Sequence, residues 1–264
     1  MPYQQLVLSL VGLLGLVVGS FLNVVIHRVP RDESLVRPGS HCPDCGSTVR
    51  NRHNVPVLGW VMLRGRCADC KAPISARYPL VEAATAALFV AVAARFGFSW
   101  ELPAYLYLAA IAVALAAIDL DVMRLPNAIV LPSYLVAAAL LVPVAVLHDD
   151  WAAIGRGLVA AAALWLFYKF LALIPQGMGG GDVKLAPLLG FYLGWLGWSA
   201  VAVGAFAAFL IGGIVGAALM AFRIAGRRSQ IPFGPYMLAG TFLAVFAAAP
   251  IAAWYVDLLV PTAA

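Results

Sequence analysis

Charge is what this 264-residue chain has least of. Asp, Glu, Lys and Arg make up 11% of it, against 64% hydrophobic residues and a mean hydropathy of +0.94. That balance excludes an ordinary soluble domain. Cysteine is scarce too: there are four, all between residues 42 and 70. The chain shows no low-complexity tail and no convincing internal repeat. The first apolar run has no basic leader before it and no clear small-residue cleavage site after it, so it reads as a retained span and not as a signal peptide.

What is abundant is long apolar sequence. Eight candidate spans cover residues 6–26, 80–98, 102–118, 128–147, 151–174, 183–196, 198–222 and 236–256. Each crossing needs about 20 apolar residues, so the sixth is short and calls for tilt, extension or a thinned bilayer. Gly212, Gly213 and Gly216 in the seventh suit close helix packing.

The formal net charge is +5, and nine of the 17 Lys and Arg fall between His27 and Arg77. Positive charge clustered beside a span is the positive-inside signal, and the loop holds no recognisable nucleic-acid module, so no nucleic-acid partner is expected. The bias places the N-terminus outside and the loop after the first span in the cytoplasm. Alternation then puts Arg124, Gln176 through Lys184, and Arg223, Arg227 and Arg228 inside, and His148, Asp149 and Asp150 outside. Arg95 and Arg156, near outer ends, run against this pattern. The expected fold is an all-α polytopic membrane protein of about eight transmembrane helices, with a cytoplasmic loop domain between the first two. The expected divisions are a first helix at 1–26, a zinc-binding loop domain at 27–79 and a seven-helix core at 80–264.

Within that loop, Cys42-Pro43-Asp44-Cys45 is separated by 21 residues from Cys67-Ala68-Asp69-Cys70. Thiolates three positions apart on a tight knuckle can point at one ion, and two knuckles complete a tetrahedron. Gly46 would relieve the first turn. A disulfide framework is the alternative, disfavoured in a cytoplasmic loop. Four cysteines leave no open position for water, so Zn2+ would be structural, stapling a loop with little core of its own. His41 and His53 read as solvent-exposed neighbours.

The other chemistry-bearing feature is a pair of membrane-edge carboxylates. Asp119 follows the run Ala116-Ala117-Ile118 directly, and Asp182 closes Gly177-Met178-Gly179-Gly180-Gly181. Carboxylates at membrane depth default to a functional hypothesis. Two brought together can share a proton and activate water. Asp121 competes with Asp119 but points to nearly the opposite helix face; Asp119 is the deeper and is preferred. The glycines predict a non-helical segment that must be buried or line a wet cavity, with Asp182 also placed to cap the sixth helix. Lys184 would tune a nearby carboxylate or mark the membrane edge. Glu82, early in the second span, would pair with Arg77 or shape a substrate groove. An ion-coupled transporter with a zinc-stapled regulatory loop also uses buried carboxylates, but it predicts inverted repeats that are not seen.

Five segments together resemble the prepilin peptidases, the bacterial type IV leader peptidases of the GxGD membrane aspartyl protease class. They are Gly19-Ser20-Phe21-Leu22-Asn23-Val24-Val25-Ile26-His27-Arg28-Val29-Pro30, the paired cysteine knuckles, Ile74-Ser75-Ala76-Arg77-Tyr78-Pro79-Leu80-Val81-Glu82, Ile118-Asp119 through Leu125-Pro126-Asn127, and Gly179-Gly180-Gly181-Asp182-Val183-Lys184. The resemblance implies a bacterial inner-membrane hydrolase that cuts the leader of type IV prepilins and type II secretion pseudopilins after a Gly, at the cytoplasmic face. It implies Asp119 and Asp182 as the catalytic pair and Gly179, Gly180 and Gly181 as the active-site loop, with Cys42, Cys45, Cys67 and Cys70 as metal ligands. It also implies N-methylation of the new N-terminal residue with S-adenosylmethionine. No G-x-G-x-x-G fingerprint beside a strand is present, so the loop His27–Arg77, the largest soluble piece, is expected to contribute to that second activity, with Leu63-Arg64-Gly65-Arg66 as a candidate segment.

Overall fold

The computed structural model describes residues 2–174, 178–224, 226 and 229–259. Gln176, Gly177, Arg227 and Arg228, which figured in the charge and glycine arguments, lie outside the described residues. All regular structure among those described is helical: α1 Pro2–Arg28, α2 Leu58–Met62, α3 Arg77–Phe96, α4 Leu102–Val122, α5 Asn127–His148, α6 Trp151–Ala172, α7 Gly180–Leu196, α8 Trp198–Ala221 and α9 Gly234–Leu259, with single 3-10 turns at Val29–Arg31 and Asn51–His53. Breaks fall where local chemistry stops a helix. Asp149 ends α5 in a left-handed conformation, and the Asp150 carboxylate accepts the Ala153 N–H at 3.0 Å to open α6. Seven of these helices are long and apolar enough to cross a membrane.

The chain divides into two compact units, Met1–Ala117 and Ile118–Ala264. In the first, α1 packs antiparallel on α3. The faces meet through small residues: a Cβ on Gly15 would lie 2.6 Å from Ala86 Cα, and one on Gly19 would lie 2.7 Å from Glu82 Cα. The long loop between them is held by local bonds. Arg28 donates to the carbonyls of Ser34 and Pro38 at 2.7 and 2.6 Å, Trp60 Nε1–H donates to the Ile74 carbonyl at 3.0 Å, and Arg50 pairs with Asp69 at 2.8 Å.

In the second unit α7 is the central helix, packed on α5, α6, α8 and α9. At 17 residues it spans only about 26 Å, short of a bilayer core of about 30 Å. Eleven of those residues are buried, so its neighbours, more than lipid, cover its ends. That environment answers the shortness noted in the sequence. Of the three glycines singled out, only Gly212 is closely packed, with a Cβ there 3.1 Å from the Phe233 and Tyr236 rings. A Cβ on Gly240 of α9 would sit 2.6 Å from Ala208 N of α8, whereas Gly213 faces open space and Gly216 has nothing nearer than 3.9 Å.

Candidate active site and metal centre

The two cysteine knuckles share one backbone design. Cys42 N–H donates to Ser47 and Gly46 N–H returns to Cys42, both at 2.9 Å; Cys67 N–H donates to Ala72 at 2.8 Å and Lys71 N–H returns to Cys67 at 3.1 Å. The residue after each second cysteine takes a left-handed φ, +71° at Gly46 and +63° at Lys71. Glycine does this freely, while lysine gives up some stability there. Arg50 and Asp69 link one knuckle to the other.

The four sulfurs lie within 4.8 Å of one another, with Cys42 Sγ and Cys70 Sγ 3.8 Å apart. A tetrahedral zinc with Zn–S of about 2.3 Å needs sulfurs about 3.8 Å apart, so the set fits a zinc ion held by four thiolates with at most a small contraction of the wider pairs. The thiols are unequal. The Ser47 hydroxyl, then its backbone N–H, pull Cys45 down to about 6. Backbone donors at Cys70, then Asp69, lower Cys67. Cys70, although the Ala72 N–H favours its thiolate, is pushed up to about 12 by desolvation and by its three thiol neighbours.

The carboxylate site is built in the second unit from helix ends. Asp119 lies near the C-terminal end of α4 and Asp182 in the first turn of α7; they are 5% and 7% exposed. Asp121 is exposed. Gly234 N–H donates to Asp119 Oδ2 at 3.0 Å, and Gly179 N–H donates to Asp182 Oδ2 at 3.3 Å. Leu125 lies between the two arms. It is the nearest neighbour of a Cβ built on Gly181, at 3.1 Å, and it stands 3.4 Å from one built on Gly234, whose nearest atom is Asp119 Oδ2 at 2.7 Å. The two carboxylates are within electrostatic range of each other, and Tyr168, fully buried and stacked on Phe209, is in range of Asp182.

The glycine run differs from its expected form. Helix α7 begins at Gly180, so Gly180, Gly181 and Asp182 are its first turn, and only Met178 and Gly179 are described as non-helical. The Asp182 side chain reaches back to the Gly179 N–H, one half of a capping box that glycine cannot reciprocate. None of the three glycines from 179 to 181 has a positive φ; what Gly181 supplies is room for Leu125. Lys184 is held away by Asn127 Oδ1 at 3.0 Å, and the Tyr134 hydroxyl donates to the Lys184 carbonyl. Glu82 accepts the Val57 N–H at 2.6 Å.

The sequence does not mark Gly234 or Leu125 as site residues. The signal for Gly234 is Phe233-Gly234-Pro235, a Gly-Pro step opening a long apolar helix. Nothing in the sequence says that its N–H would meet Asp119, 115 residues away.

Family models match both parts of the chain: one for the bacterial peptidase A24 N-terminal domain at residues 13–96, and one for the type IV leader peptidase family at residues 106–219. A prepilin leader peptidase/N-methyltransferase of Aeromonas hydrophila is 39% identical over 277 residues, covering 94% of this chain and 93% of that protein. Proteins of the same description from Stutzerimonas stutzeri and Pseudomonas aeruginosa are 37% and 36% identical, covering 92% and 88% of this chain and the same shares of their own. No solved structure matches. The comparisons lend no support to the ion-coupled transporter.

Proposed function

We propose, from the premise that this chain belongs to the type IV leader peptidase family, that it is a bifunctional prepilin peptidase. It cleaves the leader from prepilins and pseudopilins after a Gly and N-methylates the new N-terminal residue. It is a multi-pass membrane protein; we place it in the bacterial inner membrane with its cleavage site facing the cytoplasm, which the clustering of Arg and Lys around loop 27–79 supports. In this division of labour residues 1–26 anchor the chain, 27–79 form the zinc-binding domain and 80–264 carry the peptidase core.

The observation that carries the peptidase reading is the pair of buried carboxylates, Asp119 and Asp182, each with one oxygen tethered by a glycine N–H. Burying a charge at membrane depth costs about 3 kcal/mol or more, a cost that structure alone does not require twice in one site. With a single proton between them, one carboxylate takes a proton from water while the other donates to the scissile carbonyl oxygen. The water oxygen bonds to the carbonyl carbon. Proton transfer to the leaving nitrogen then accompanies C–N cleavage and regenerates the pair. The tethers matter because they hold Oδ2 on each residue and leave Oδ1 to face the substrate. Gly179, Gly180 and Gly181 form the loop and first helical turn along which the substrate backbone approaches.

The four cysteines hold Zn2+, whose part is to fold the loop. S-adenosylmethionine supplies an electrophilic methyl group to the amine.

Leader removal from a prepilin by the detergent-purified protein, followed by mass, tests the reading. Asp119→Asn and Asp182→Asn are expected to lower cleavage by about 1,000-fold or more, with Asp121→Asn close to the parent. Cleavage that survives either of the first two substitutions overturns the two-carboxylate mechanism.

A further inference from the structure

The first unit contains a cavity of about 680 Å³, in the range of small-molecule sites, bounded by α1, the start of α3 and the cysteine loop. Asn23, Val24 and His27 of α1 line one side, Trp60 another, and the metal knuckles contribute Cys42 and Cys67. Of the segment Leu63–Arg66, Leu63 lines it. One member is anomalous. Glu82 is 8% exposed, a carboxylate in the second turn of a helix that otherwise buries apolar side chains and Thr85. Its Oε2 accepts the Val57 N–H, while Oε1 has no hydrogen bond and the residue has no ion pair among the described residues. Holding one N–H would be done as well by a neutral amide. The second oxygen lines the cavity uncommitted, and a carboxylate there offers a cation a charge-assisted hydrogen bond.

The nearby cations do not supply it. Arg77, the partner expected from the sequence, donates to the Ala117 carbonyl at 3.1 Å and forms no ion pair with Glu82; Arg28 is spent on the carbonyls of Ser34 and Pro38, and Arg50 on Asp69. Glu82 also stands near the start of a spanning helix, where the loop meets the apolar segment. A cleaved chain whose new N-terminus directly precedes its own apolar helix presents its ammonium at that level.

Resting on the two-activity reading above, we propose that this cavity is the methyl-transfer site and that Glu82 Oε1 receives the α-ammonium of the cleaved chain and removes a proton from it. The amine lone pair then forms the N–CH3 bond as the S–CH3 bond of the sulfonium donor breaks, leaving its electron pair on a neutral thioether sulfur. The other two ammonium protons stay on the methylated amine, which leaves as a secondary ammonium, and Glu82 releases the proton it took to water. The volume has room for a nucleoside beside a Phe side chain, with the Trp60 indole as an apolar wall. Because Cys42 and Cys67 form part of the wall, loss of metal deforms the cavity.

The test uses the full-length detergent-purified protein, S-adenosylmethionine, and a leaderless peptide with a free N-terminal Phe. Glu82→Gln keeps an oxygen for the Val57 N–H. Methyl transfer is expected to fall by about 100-fold or more. Binding of the peptide alone is expected to weaken about tenfold or more. Affinity for S-adenosylmethionine and S-adenosylhomocysteine, measured by equilibrium dialysis, is expected to stay unchanged, as is leader removal. Undiminished methyl transfer overturns the proposal. So does a selective loss of S-adenosylmethionine affinity with peptide binding intact, which would assign Glu82 to the sulfonium. Absence of methyl transfer in the parent overturns the two-activity reading itself and is distinguishable because it needs no variant. Should Glu82→Gln fail to fold, Val24→Phe decides: it fills the cavity with Glu82 in place, and unimpaired donor binding would overturn the assignment.

Discussion

The metal knuckles and the carboxylate site are built by opposite means. The knuckles are local: Cys42 and Cys70, the outermost ligands, are 28 residues apart, and each hairpin closes through hydrogen bonds within six residues. The carboxylate site is assembled from remote pieces: the end of α4, the start of α7 and the start of α9, with Asp119 bonded to a residue 115 positions away. A local site tolerates distant change but depends on its ion. A remote site depends on close packing between distant pieces, and at Gly234 one added methyl group has nowhere to go.

That difference can be pressed experimentally. The largest effect is expected from Cys67→Ser. A structural zinc contributes on the order of 10 kcal/mol to the fold of a small metal domain, so the variant should lose its metal and methyl transfer together, while leader removal falls far less. Metal analysis beside the two activity assays checks this, and equal loss of both activities would show that the two regions are not independent. Next is Gly234→Ala. Its Cβ would lie 2.7 Å from Asp119 Oδ2, and displacing a reacting group by about 1 Å can cost about 100-fold, so cleavage should drop with zinc retained. Gly213→Ala in α8, which meets nothing within 4 Å, is the control and should cleave like the parent. The smallest effect belongs to Gly46→Ala. A left-handed φ costs an L-residue about 1 kcal/mol, as Lys71 already bears in the second knuckle, so zinc affinity measured by competition should weaken several-fold without loss of fold.

Legibility followed the same division. The cysteine centre could be read from spacing, because a knuckle is a local object. The helices could be read from long apolar runs, and α3, α4 and α9 fall within four residues of their expected limits. Asp119 over Asp121 followed from depth along one helix, and the structure buries the first and exposes the second. Less legible was the glycine run. Its glycines suggested unusual dihedrals, whereas the structure uses Gly181 for clearance against Leu125 inside a helical turn. Gly213 and Gly216 suggested packing that Gly240 in fact provides. Sequence counts small residues but does not say which face meets a neighbour.

The sequence by itself determined the membrane class, the helix limits, the four thiols and the two acids, because hydropathy, ligand spacing and the cost of a charge at membrane depth all act over short stretches of chain. Tertiary structure alone decided that Gly234 tethers Asp119, that Leu125 joins the two arms of the carboxylate site, that the short helix α7 is the most enclosed, and that Glu82 faces a cavity with one oxygen uncommitted. Each of these depends on which surfaces of distant helices come within a few ångströms, and close packing is a property of the pair, not of either sequence segment.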